Sequence, residues 1–131
     1  MLLPIAGYFR EPLTRINIMP ARFITVDELK DLDELIAASY NQPVFLFKHS
    51  NSCGISAQIR YQLSSLDADV HQIVVQDSRP VSNAVVEKLG VRHASPQAFV
   101  LTNGNVIYHA THYGIDTTAI QKNLEQATTE I

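Results

Sequence analysis

A chain of 131 residues with one cysteine, Cys53, cannot close a disulfide within itself. That excludes the disulfide-stapled scaffolds of small secreted domains and points to a reducing compartment. Long apolar runs are missing too: no stretch approaches the roughly 18 residues of a membrane span. Neither sign of charge dominates. Ten Lys and Arg stand against thirteen Asp and Glu, a net charge of −3. The basic residues are scattered, which excludes the dense positive face that binds nucleic acid. At the N-terminus, "MLLPIAGYFREPLTRINIMPARF" has three prolines and no unbroken apolar core, so an export signal is not expected. Residues 1–22 read as an irregular arm, with Met19 as an alternative start, ahead of one domain over 23–131. The expected location is the cytoplasm.

What is present fits a globular core, with 46% hydrophobic and 18% charged residues. "TVDELKDLDELIAAS" opens with Thr25 three residues before Glu28, a capping-box spacing. Val26, Leu29, Leu32, Leu35 and Ile36 follow at helical intervals. "PVFLFK" (43–48) and "VHQIVVQD" (70–77) read as buried strands. Between them a helix is expected from Cys53 to about Leu66, with Ile55, Ile59, Leu63 and Leu66 on its apolar face. Pro80 suits a first helical turn, and "VSNAVVEKLG" closes that helix at Gly90. Asn103-Gly104 marks a hairpin within 97–110, and Asp116 opens a last helix. Strands joined through helices run parallel and the hairpin adds an antiparallel pair. The expectation is an α/β domain of thioredoxin-like plan: a central mixed sheet of four or five strands with helices on both faces.

Cys53 falls where the first buried strand gives way to a helix. Free N–H groups and the helix dipole favour an anion there, and so favour a thiolate. Lys48 and His49 add nearby positive potential. Ser50, Asn51, Ser52 and Gly54 are polar or small and suit an open loop. The tetrad is Cys53-Gly54-Ile55-Ser56, not Cys-x-x-Cys. A mixed disulfide on Cys53 therefore has to be resolved by a thiol from outside the chain. Two other readings stay open: a non-catalytic interaction module, and a monothiol-glutaredoxin-like protein holding an iron–sulfur cluster or small thiol. No resident metal is expected, since His109 and His112, three apart at a strand end, do not share a face.

The stretches "KHSNSCGIS", "VQDSRPVSNAVVEKLGVRHASPQAFVL" and "NGNVIYHATHYGID" resemble the monothiol bacilliredoxins over roughly residues 23 to 128. Gly54 departs from the pattern, which has proline there. The resemblance implies a thiol–disulfide oxidoreductase of the bacillithiol system that carries no bound cofactor. Its partners would be S-thiolated client proteins and a small thiol, bacillithiol or a similar one. It further implies catalysis by Cys53 and a cis Ser95-Pro96 bond packed against the thiol. The small thiol would be received by His49, Ser50, Gly54, Ser56, Ser95 and Pro96. His112 and Tyr113 join this set from strand direction, because the chain returning from the hairpin emerges at the Cys53 end of the sheet.

Overall fold

A computed structural model describes residues 21–130. Five strands form one sheet: β1 (Arg22–Thr25), β2 (Val44–His49), β3 (Asp69–Val74), β4 (Gln97–Thr102) and β5 (Asn105–Thr111). Their spatial order is β1-β3-β2-β4-β5. β1 and β2 each run parallel to β3, while β4 is antiparallel to β2 and β5 to β4. Four α-helices cover the faces: α1 (Leu29–Ala38), α2 (Gly54–Leu63), α3 (Arg79–Leu89) and α4 (Thr117–Glu130). The α/β architecture with a mixed sheet is the one expected, with the larger of the two strand counts.

The alternation of each central strand divides the core into two layers. Val44 and Leu46 of β2, with Ile73, Phe99 and Leu101, pack against Leu32 and Leu35 of α1 and Val81 and Val85 of α3. Phe45 and Phe47 point the other way, toward Ile59 and Leu63 of α2 and Ile120 and Leu124 of α4. Lys48 therefore faces the α1/α3 layer. His49 shares the opposite face with Phe47, their rings 5.9 Å apart.

Element boundaries differ from expectation mainly at the start. Thr25 ends β1 and caps no helix. The helix begins at Leu29 behind Glu28, whose capping box is closed by Asp31. Ladder pairing outweighs the Thr25–Glu28 spacing: Arg22 reaches Asp69 with two side-chain bonds of 3.1 Å, and Val26 N–H donates to Gln72 O at 2.8 Å. Val26 is buried, but as a loop residue ahead of α1. β1 also takes in Arg22, the last residue read as arm; residues 1–20 of that arm, Met19 included, lie outside the described residues. α2 stops at Leu63, three residues short of Leu66, and β3 stops at Val74, three short of Asp77. The later signals hold. Gly90 is a left-handed C-cap at φ 72°, and Asn103 and Gly104 turn the hairpin at φ 54° and 76°. Asp116 Oδ1 accepts from the N–H groups of Thr118 and Ala119. Among the described residues no helix is long and apolar enough to cross a membrane.

Candidate functional site

Register brings the candidate residues to one end of the sheet. Lys48 pairs with Gln97, and Gln97 pairs with Thr111, so the three stand in a row across β2, β4 and β5. The next residue outward on each strand is His49, Pro96 or His112. Paired Cα atoms in such ladders lie about 4.5–5.5 Å apart, so His49 neighbours Pro96 and Pro96 neighbours His112, although they are far apart in sequence. The Ser95-Pro96 bond is cis. Pro96 O accepts the His112 N–H at 3.0 Å, tying the segment before β4 to the turn after β5. That turn, His112–Gly114, is a short 3-10 helix that packs against α2.

Cys53 is the N-cap of α2, with extended backbone at φ −119°, ψ 121°. Its carbonyl accepts the Ala57 N–H at 3.1 Å, the first bond of the helix, and its thiol is partly buried. Helix N-termini leave N–H groups without partners inside the helix, and these are available to an anion on the cap sulfur. Gly54 has nothing within 4 Å of where a side chain would begin. A glycine at this position is thus not demanded by space.

Ser56, one turn on from Cys53, is fully buried. Its Oγ accepts the Ser50 N–H at 3.0 Å and lies 2.8 Å from His49 Nδ1. Where a dithiol protein would carry its second sulfur, this chain has a hydroxyl engaged with the loop before the thiol. His49 is held below the ordinary histidine value, first by burial and then by the positive charge of Arg60. It is neutral near pH 7.

Two glutamines that sequence reading did not single out as site residues build this end of the molecule. Gln76, from the segment after β3, clamps the Cys53 loop. Its Nε2 donates to Ser50 Oγ at 2.7 Å and Ser52 Oγ at 3.1 Å, and its Oε1 accepts the Asn51 N–H at 3.0 Å. Gln97 is wholly buried and clamps the Ser95-Pro96 segment through Arg92 O and the Ala94 N–H. Neither is legible in advance, because glutamine is ordinarily a surface residue. His49, Ser50 and Ser56 thus form one bonded cluster around Cys53 and Gly54. Pro96 and His112 form a second, on the neighbouring strands. The His112 tie is made by its backbone, at a left-handed φ of 51°, and Tyr113 is exposed.

Comparison with known proteins agrees with this geometry. The family described as monothiol bacilliredoxin BrxC matches residues 24–120. Among solved structures, a proposed oxidoreductase with a thioredoxin fold is 30% identical, covering 76% of this chain and 91% of its own, with a TM-score of 0.69. Thioredoxin O2 of Arabidopsis thaliana is 18% identical, covering 86% of this chain and 99% of its own, with a TM-score of 0.64. A thioredoxin variant from Halobacterium salinarum NRC-1 is 20% identical, covering 86% and 96%, at a TM-score of 0.60. The last two establish the fold alone.

Proposed function

The chain belongs to the monothiol bacilliredoxin family of thioredoxin-fold thiol redox proteins, and from that premise we propose that it strips a small thiol, bacillithiol or a similar one, from mixed disulfides on client proteins. The observation that carries the reading is the lone thiol at the N-cap of α2, with Ser56 and not a second cysteine one turn later. The Cys53 thiolate attacks the sulfur of the small thiol. A new Cys53–S bond forms as the old S–S bond breaks, and the client leaves as thiolate. A second small thiol then attacks the Cys53 mixed disulfide, giving the free enzyme and a small-molecule disulfide. The client's disulfide is the oxidant consumed, so no bound cofactor is required.

Supporting roles follow from placement. Gln76 and Ser56 fix the loop from His49 to Ser52, so the thiol is presented in one geometry. Ser50 and Gly54 flank it. Ser95, Pro96, His112 and Tyr113 stand at the same end of the sheet and would line the groove for the small thiol. The His112 ring would supply the proton to a leaving sulfur there. The cytoplasm is the setting that suits an enzyme regenerated by a small thiol.

The test is mass spectrometry of the protein after separate incubation with oxidised bacillithiol and oxidised glutathione. Adduct mass on Cys53 is expected, faster with the physiological thiol and absent in Cys53→Ser. Release of thiol from a bacillithiolated client by Cys53→Ser at the wild-type rate would overturn the assignment.

A further inference from the structure

The loop between α3 and β4 carries Ser95-Pro96 and is pinned at two points by groups outside it. On one side the Lys48 ammonium, buried beneath α3, donates to Ser82 O at 2.9 Å and to His93 Nδ1 at 3.1 Å. On the other, Gln97 Nε2 donates to Arg92 O at 2.8 Å and to His109 Nε2 at 2.9 Å, while its Oε1 accepts the Ala94 N–H at 3.1 Å. An ammonium group can only donate. The Gln97 amide is oriented independently, since its oxygen must meet an N–H and its nitrogen a carbonyl. Both histidines are therefore acceptors at the nitrogen they present, and an imidazolium has no acceptor. A proton on either ring sets N–H against N–H.

We propose that His93 and His109 are positioning residues that hold the Ser95-Pro96 loop only while both rings are neutral, so that acid frees the loop and weakens the docking of a disulfide at Cys53. Both residues are largely exposed, so solvent protons reach them. The charged groups acting on His93 are Lys48 of β2 and Arg79 of α3, both cationic. His109 faces the neutral Gln97 and Phe99 of β4, the Phe99 ring 5.3 Å away. Partial desolvation of each ring holds both histidines below the ordinary value, and Lys48 and Arg79 lower His93 further. Release is thus expected below about pH 6.5. The pin survives on the alkaline side. Lys48, which burial pushes down to about 8, still donates as a neutral amine. The tie from His112 N–H to Pro96 O does not titrate.

The rate arm of the test rests on the exchange role of Cys53; the spectroscopic arm does not. His93→Asn with His109→Gln keeps an acceptor oxygen near each pin and removes the proton site. In wild type, the rate of Cys53 with a small disulfide, divided by the thiolate fraction read from ultraviolet absorbance, should fall at least tenfold from pH 7.5 to 5. The double variant should match wild type within about threefold at pH 7.5 and lose most of the acid fall. The amide signals of Ala94 and Ser95 should titrate in wild type with midpoints below the ordinary histidine value, and stay fixed in the variant. Should the double variant fold poorly, each single variant is expected to remove one of the two steps. Fixed Ala94 and Ser95 signals in wild type over this range would overturn the proposal. A titration unchanged in the variants would do the same. Loss of exchange alone, with the titration present, would count against the role of Cys53 and not against the clamp.

Discussion

At the scale of single residues, Ser56 separates structure from chemistry. Its hydroxyl serves the buried Ser50 N–H and the His49 ring. Ser56→Ala leaves both without that partner and is expected to cost about 1–3 kcal/mol of stability. Exchange at Cys53 should survive within a few-fold, because the hydroxyl carries no electrons into the reaction. Urea unfolding beside a small-disulfide rate assay reads both, and loss of exchange in a folded Ser56→Ala protein would give the hydroxyl a chemical role. Gly54 offers the opposite case. It is the first residue of α2, with open space around it. Cys53 before it already has the extended backbone that a following proline requires. Gly54→Pro should raise stability by about 0.4–1 kcal/mol through the unfolded chain, with the site intact. A lowered unfolding midpoint would show that the first turn of α2 needs glycine's freedom.

At the scale of elements, the β4–β5 hairpin was legible in its two turn residues, and its tight fit was not. Asn103 N–H donates to Ser39 O at 2.8 Å and Gly104 N–H to Ser39 Oγ at 2.9 Å, so the turn is buttoned to the end of α1. A side chain on Gly104 would also strike the Tyr40 ring. Gly104→Ala combines that clash with a left-handed φ and should cost about 1–3 kcal/mol, measurable as a shifted urea midpoint; a neutral result would mean that Tyr40 swings clear. Elements with local signatures were readable: Pro80 and Gly90 bracket α3, and Asp116 opens α4. β1 was not, because its four residues alternate weakly and become a strand only through β3, more than forty residues away. The site divides in the same way. Cys53, Ser56 and Pro96 announce themselves by type and spacing. Gln76 and Gln97 matter through partners that only the folded chain supplies.

At the scale of the whole molecule, partly desolvated nitrogen bases set the response to acid. His49, His71, His93 and His109 all lie below the ordinary histidine value, each chiefly through burial. Unfolded, such rings take up protons near pH 6.5. Folded, they resist to lower pH. Stability held in full above about pH 6.5 is therefore lost as pH falls from there through the folded-state values. Lys48 acts with the same sign higher up. Folded it releases its proton near 8, while the unfolded chain holds one to about 10.4, so stability rises between those limits. Unfolding free energies at pH 5, 7 and 9.5 should increase in that order, and Lys48→Met should flatten the upper step. Equal stability at pH 5 and 7 would contradict the linkage.

The strand order carries a consequence for how the protein is made. Cys53 leaves the ribosome well before Pro96 and His112, so β2 must wait for β4 and β5 to complete that end of the sheet. At about 5–20 residues per second the interval of roughly sixty residues lasts some 3–12 s. Until it ends each nascent chain exposes a thiol without the His112 turn beside it, and for the earlier part without the Ser95-Pro96 loop as well.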